Sequence, residues 1–156
     1  MAVGDITWFR AGLLAVGTKL IDLNADTIKL GLIKSAANSG IDPTNILADP
    51  RFGAGGTTNL LTSQVNTGAS YATGGPSLTT KTFALQSNVP TLRADIVTIA
   101  QDASGFTNAR WGIIYESVTL RALAFVDLGS DRSIVGGALT IDWNGATNDI
   151  LTISSP

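Results

Sequence analysis

The chain lacks cysteine and histidine, and only one of its twelve acidic residues, Glu116, is a glutamate. These absences remove the usual zinc ligands, thiol nucleophiles and histidine-based catalytic groups. Charge is also sparse: the formal net charge is −2, and charged residues make up 14% of the chain, where about 25% is usual. The composition excludes a basic nucleic-acid-binding protein, a disulfide scaffold and a disordered acidic tail. It favours a protein that is not an enzyme and uses no metal or cofactor.

Long hydrophobic runs are absent as well. The longest uninterrupted stretch of apolar and glycine residues, Ala11–Gly17, is far shorter than the roughly 20 residues of a membrane-spanning helix. The first positive charge, Arg10, follows Asp5, so the basic start of a signal peptide is missing. The mean hydropathy is nevertheless +0.27. We therefore expect a protein that is made and used without export, binds no membrane and associates with other subunits.

Most of the sequence consists of short β-strand patterns separated by turn residues. In Thr27–Lys34 the apolar residues Ile28, Leu30 and Leu32 alternate with Lys29 and Gly31, which is the period of a strand. Further strands are predicted at Leu78–Leu85, Thr91–Ile99, Arg110–Glu116, Arg121–Leu128, Ala138–Trp143 and Asp149–Ile153. A series of this kind is typical of an antiparallel β-sandwich or barrel. We predict a mainly β, jelly-roll-like single domain over residues 1–156.

The N-terminal arm, residues 1–20, has a helical pattern instead. Phe9, Leu13, Val16 and Leu20 recur at three- and four-residue spacing, which places them on one stripe of a short helix. The helix is predicted to be capped by Asp5 or Thr7, and Trp8 beside Phe9 widens its apolar face. We propose Trp8, Phe9 and Leu13 as candidate contacts with other subunits.

Residues 36–62 are rich in glycine, asparagine, aspartate and proline. They have no periodic apolar pattern, so we predict a long loop and no second domain. The Gly53–Gly56 stretch within it lacks the Lys-Ser/Thr of a phosphate-binding loop and is expected to be a flexible tip. The loop is a second candidate for contacts with neighbouring subunits, as is the segment Met1–Leu14.

Several polar and aromatic groups admit a functional reading that the residues alone do not favour. Asp22–Asp26 opens like an EF-hand loop, but Thr27 and Ile33 stand where calcium needs glycine and glutamate, so we predict a polar turn. Two carboxylate pairs, Asp127 with Asp131 and Asp95 with Glu116, are candidates for acid–base catalysis, although Asp127 and Asp131 stand at a strand end and in the next turn, where aspartate is expected in any case. The tryptophans are expected to belong to the core rather than to a sugar-binding site: Trp8, Trp111 and Trp143.

Six segments, in order, resemble a family of small virion proteins of tailed bacteriophages, described as head decoration, cement or head-fibre proteins. They are Phe9–Leu14 followed by Ile21–Leu30, Gly68–Gly75, Phe106–Tyr115, Phe125–Asp131 and Leu139–Trp143. The resemblance implies a capsid decoration protein located on the virion surface. Its partners would be the major capsid protein and further copies of itself, as a homotrimer. The family has no catalytic residues to transfer to this chain.

Two other functions are compatible with the residues. A tail, baseplate or fibre component would act as a host-contact module that binds glycans through exposed tryptophan or tyrosine. An enzyme, such as a glycosidase that acts on the host envelope, would need one of the carboxylate pairs.

A decoration protein would bury apolar surface both in its own core and against its neighbours. This explains the low charge and high hydropathy, because permanent interfaces resemble protein interiors. The decoration protein is thus the leading hypothesis.

Overall fold

The two longest strands in the described part of the chain, Ala109–Glu116 and Ala122–Arg132, are consecutive in the sequence and pair with each other. In a computed structural model, which describes residues 6–44, 49–143 and 149–153, they lie at the centre of a four-stranded sheet. The elements of the described part are β1 (Ile6–Trp8), α1 (Arg10–Gly17), β2 (Ile28–Lys34), α2 (Ala36–Ser39), β3 (Pro50–Arg51), β4 (Thr58–Asn59), a 3₁₀ helix (Leu60–Ser63), β5 (Thr82–Gln86), β6 (Val89–Arg93), β7 (Val97–Ile99), β8 (Ala109–Glu116), β9 (Ala122–Arg132), β10 (Leu139–Ile141) and β11 (Asp149–Thr152). The predicted mainly β architecture, with antiparallel sheets and a short N-terminal helix, is confirmed.

The four-stranded sheet has the order β1-β9-β8-β2 and is antiparallel throughout. The predicted alternation in β2 is confirmed, since Ile28, Leu30 and Leu32 are fully buried in one apolar cluster. The opposite face of β2 is buried too: Gly31 is covered and Ile33 belongs to a second cluster. The sheet therefore has an apolar layer on each side.

The second layer comes largely from the segment that we predicted to be a long loop. Phe52 and Leu60, both within residues 36–62, are buried in the second cluster. The Phe52 ring stacks on Tyr115 with ring centroids 4.6 Å apart and lies directly over Gly31, where a Cβ would be 2.3 Å from the ring. This part of the segment therefore contributes to the core although it lacks a periodic pattern, because single apolar residues fill the space above the sheet.

The same segment is attached to the turn between β8 and β9. The Phe52 N–H donates to the carbonyl of Leu120 at 2.7 Å. Asp49 accepts ion pairs from Arg51 and Arg121 at 2.9 and 3.0 Å, and Arg51 also donates to a backbone carbonyl of the turn. These contacts fix Phe52 over the sheet.

A three-stranded sheet, β11-β6-β5, lies beside the four-stranded one, and β10 pairs with β7. Ser87 and Asn88 connect β5 to β6 and have φ angles of 49° and 68°. Two consecutive positive φ angles are the mark of a type I′ hairpin turn. The predicted single strand Thr91–Ile99 is in fact two strands, β6 and β7, which belong to different sheets.

Strand β9 is longer than we predicted. It continues through Gly129–Asp131, which the sequence marks as a turn, and ends at Arg132. Gly129 has a φ of 81°, and its N–H donates to the side chain of Asp127 at 2.6 Å. The glycine and the aspartate thus produce an irregularity within the strand instead of a reversal of the chain.

The outer edge of β2 is covered by residues 64–78, which we call the edge strap. Ile28, Leu30 and Leu32 exchange backbone hydrogen bonds with the strap at N···O distances of 2.8 to 3.1 Å. The Leu32 N–H donates to the hydroxyl of Tyr71 at 2.6 Å, and burial raises the pKa of Tyr71. The strap therefore supplies the hydrogen-bond partners that a further strand would otherwise provide.

Candidate interaction surface

Helix α1 packs on β9 through its smallest residues. A Cβ at Gly12 would lie 2.6 Å from the Cα of Leu123, so the helix backbone rests directly on the strand backbone. Ala15, one turn later, is also buried. Only small side chains permit so close an approach. The packed face of α1 is therefore the Gly12–Ala15 face.

The large apolar residues of α1 consequently face outward. Leu13 and Leu14 have 38% and 67% of their surface exposed, and Leu20, just after the helix, has 57%. The predicted stripe of Phe9, Leu13, Val16 and Leu20 does not form one continuous surface, because Phe9 is buried while Leu13 and Leu20 are exposed. The signal that sequence analysis missed is the pair of small residues three positions apart.

The three predicted contact residues occupy different environments. Phe9 is buried against Phe125, with ring centroids 5.2 Å apart. Trp8 is half-buried in β1 and donates its indole N–H to the Thr152 carbonyl at 3.2 Å. Leu13 is exposed. Trp8 and Phe9 therefore belong largely to the chain's own core, and of the three residues Leu13 offers the most accessible surface.

The start of α1 also differs from the prediction. Phe9 is the N-cap residue and makes no side-chain capping hydrogen bond; its backbone N–H donates to the carbonyl of Leu123 at 2.8 Å. Thr7 lies in β1, two residues earlier. Asp5 lies outside the described residues.

An apolar groove runs between α1 and the β5–β6 hairpin. It has a volume of about 690 Å³ and is lined mainly by Leu13, Leu14, Val16, Phe83, Pro90 and Ile153. Arg10 is its one charged lining residue. Leu85, which lies two positions beyond Phe83 and hence on the same face of β5, is 67% exposed. Two of the six large apolar residues that are exposed in the described part of the chain, Leu13 and Leu14, line the groove.

The candidate catalytic carboxylates have structural partners. Asp127 forms an ion pair with Arg110, and the hydrogen bond from that guanidinium, more than the one from Gly129, holds the Asp127 pKa below its ordinary value. Asp131, its predicted partner, is exposed at the end of β9. A general acid needs a raised pKa, so this environment does not suit Asp127 to that role.

Asp95 and Glu116, the second predicted carboxylate pair, also have separate hydrogen-bond partners. Burial alone would raise the pKa of Glu116, but hydrogen bonds from the Thr119 hydroxyl and from the N–H groups of Val118 and Thr119 outweigh it, and the pKa is lowered. Asp95 accepts hydrogen bonds from the hydroxyls of Thr79 and Thr80. Glu116 therefore stabilises the β8–β9 turn, whereas Asp95 links the β6–β7 connection to residues 79 and 80.

The calcium-like segment Asp22–Asp26 is a polar turn, as predicted. The side chain of Asp22 accepts hydrogen bonds from the N–H groups of Asn24 and Ala25, and Asp26 accepts one from the N–H of Asp22. These hydrogen bonds lower the pKa of Asp22. In the described part of the chain, no three potential metal ligands lie close enough together to hold an ion.

The arginines and the aromatic side chains mostly serve the fold. Four of the scattered arginines form ion pairs within the chain: Arg51, Arg93, Arg110 and Arg121. Trp111, Trp143 and both tyrosines are buried, which agrees with the prediction that the tryptophans belong to the core. No tryptophan or tyrosine is fully exposed, so the feature that would favour glycan binding is missing from the described surface.

Comparisons with known proteins add no relative. No protein-family profile, no curated protein and no solved structure matched the chain. Within residues 6–44, 49–143 and 149–153, no helix is long and apolar enough to span a membrane. The function must therefore be inferred from the apolar surface that remains exposed in the folded chain.

Proposed function

We propose that this protein is a structural component of a tailed-phage virion, a capsid decoration (cement) protein that binds the head shell between capsid subunits. It is made in the host cytoplasm and acts on the outer surface of the capsid, as a homotrimer at a local three-fold position. Its role is mechanical and needs no catalytic residue, cofactor, nucleic acid or membrane.

The observation that carries this proposal is the reversed packing of α1. A helix on the surface of an isolated domain normally buries its large apolar residues and exposes polar ones. Here Gly12 and Ala15 are buried while Leu13 and Leu14 are exposed. Contiguous apolar surface on a soluble domain marks a site of protein contact. The low proportion of charged residues supports the same conclusion.

The proposed mechanism is linkage between binding and assembly. A protein that binds the assembled shell but not its free subunits stabilises the shell by mass action. The decoration protein must itself resist unfolding for this purpose, and the two apolar layers of the four-stranded sheet provide a rigid body. The apolar groove at α1 is then the surface through which that body is attached.

The test is the amount and location of the protein in purified particles. Heads and tails are separated, and the protein is quantified against the major capsid protein by gel densitometry. We expect many copies, comparable in number to the major capsid protein, and all of them with the heads. A few copies that fractionate with tails would overturn the proposal and favour the host-contact module.

A second measurement addresses the mechanism directly. Heads from a deletion strain are heated with and without added purified protein, and DNA release is followed by dye fluorescence. We expect the release temperature to rise with protein concentration and to reach a plateau when the sites are full. An unchanged release temperature would show that the protein binds without acting as cement.

A further inference from the structure

The apolar groove between α1 and the β5–β6 hairpin is small compared with a subunit interface. Eight residues line it, whereas a stable protein–protein interface uses about 20 to 30 residues from each partner. A second copy of this chain would therefore need far more contact surface than the groove offers. Its dimensions suit a short segment of another protein.

The charges around the groove are of one sign. Arg10 lines the groove at the start of α1, and Lys19 lies just beyond the other end of this helix, which is about 12 Å long at 1.5 Å per residue. In the described part of the chain neither residue takes part in an ion pair, and none of the residues lining the groove is acidic. The one charged side chain that lines the groove is therefore positive, although the chain as a whole carries a net charge of −2.

We propose that the groove binds a short segment of another protein that carries two or three neighbouring large apolar side chains flanked by aspartate or glutamate. The apolar side chains contact Leu14, Phe83 and Ile153, and a flanking carboxylate pairs with Arg10. A carboxylate and a guanidinium form the stronger, charge-assisted kind of hydrogen bond. The inference rests on the proposed function in one respect, that the segment belongs to a capsid subunit.

The two exposed leucines of α1 have the properties of anchors for such a segment. They are held in place by a helix whose backbone lies directly on β9 at Gly12, so little conformational freedom is lost when a partner binds. In a two-fold dimer formed through the groove, Arg10 and Lys19 of one copy would lie near the same residues of the other copy, where like charges repel. Charge and size together favour an acidic partner over self-association.

The test uses a random 12-residue peptide library displayed on its encoding mRNA and selected against the immobilised full chain. Enriched peptides are resynthesised, and their dissociation constants are measured by fluorescence anisotropy. We expect adjacent apolar residues with at least one flanking acid. We also expect Leu14→Asp and Arg10→Glu each to weaken binding at least tenfold, with unchanged melting temperatures because both side chains are exposed.

A matched control and a charge exchange make the result specific. Val118 is 85% exposed on the β8–β9 turn, so Val118→Asp introduces the same charge outside the groove and should leave peptide binding unchanged. Replacing the flanking acid of the peptide by lysine should restore binding to the Arg10→Glu variant. Peptides that bind equally well to Leu14→Asp, or that show no preference for acids, would overturn the proposal.

A further outcome would show that a second copy of the chain, rather than a segment of another protein, fills the groove. If sedimentation velocity shows an oligomer that Leu14→Asp converts to a monomer, the groove is filled by a second copy and the proposal is wrong. Failure of the peptide test leaves the measurement of head-associated copies unaffected. Conversely, groove-dependent acidic peptides combined with tail-associated copies would support the groove and reject the decoration function.

Discussion

Strands β2 and β5 are both outer strands of their sheets, but their surroundings differ. The edge of β2 is covered by the strap of residues 64–78, and both of its faces are buried. The outer edge of β5 is hydrogen-bonded by the side chain of Asn24. Its amide oxygen accepts from the N–H of Phe83 at 2.6 Å, and its amide nitrogen donates to the carbonyl of Phe83 at 3.1 Å. Leu85 beside it is largely exposed. The region around β2 is thus covered on its edge and on both faces, whereas the region around β5 keeps an apolar side chain exposed.

The comparison also separates two uses of apolar residues. Around the four-stranded sheet, apolar side chains such as Phe52 and Tyr115 are in mutual contact and nearly inaccessible. Around the groove, by contrast, Leu13 and Leu14 are exposed to solvent because α1 packs on the sheet through its small residues. Exposed apolar surface costs solubility without stabilising the monomer, which is why it indicates a partner. The expected effects of substitution differ accordingly.

The largest expected difference is between Phe52→Ala and Leu85→Ala. Phe52 fills the layer above Gly31, and removing its ring leaves a cavity that should lower the free energy of unfolding by about 3–5 kcal/mol. Leu85 is exposed, so its truncation should change stability by less than about 0.5 kcal/mol. Urea unfolding followed by tryptophan fluorescence measures both. Similar losses for the two variants would show that the hairpin is part of the same core.

A smaller effect is expected for Gly12→Ala, with Gly17→Ala as the matched control on the same helix. The new Cβ at position 12 would meet the backbone of β9 at 2.6 Å, and such overpacking costs about 1–3 kcal/mol. At position 17 nothing lies within 4 Å, and alanine should stabilise the helix by up to about 1 kcal/mol. Thermal melting of the two variants should therefore shift in opposite directions; a shared direction would contradict the packed face assigned to α1.

The smallest effect concerns Asp127 and pH. Because its pKa is lowered by Arg110 in the folded protein, its ionised form contributes stability that is present above the unfolded-state pKa of roughly 4. That contribution is lost as the pH falls through the lower folded-state value. Asp127→Asn should cost about 1 kcal/mol at neutral pH and flatten the dependence of stability on pH below 4. Asp131→Asn on the same strand is the control for the change in net charge.

The parts of the fold that follow a period could be predicted from the sequence. Strand β2 was found by its alternation, and β8 was placed within one residue of its observed start. Helix α1 was located, but its orientation was not, because the contact that decides it is the approach of Gly12 to Leu123, which is 111 positions away in the chain. Periodicity describes a segment and carries no information about which neighbour lies against it.

The segment 49–63 shows a second limit. Phe52 and Leu60 are separated by polar and glycine residues and carry no strand or helix signal, yet both are buried. Their position is determined by tertiary contacts, chiefly those of Asp49 with Arg51 and Arg121. The same limit applies to the groove: Leu13 was a predicted contact residue, but Phe83, Pro90 and Ile153 join it only because the sheets are adjacent.

The edge strap also affects the rate at which the protein can form ordered aggregates. An uncovered strand edge is a template for ordered aggregation. A foreign strand can pair with β2 at Leu32 only after the Tyr71 ring has left a site where it is 2% exposed. Nucleation of fibrils at this edge is therefore limited by the rate of a local opening event, so the strap acts as a kinetic barrier that concentration alone does not lower.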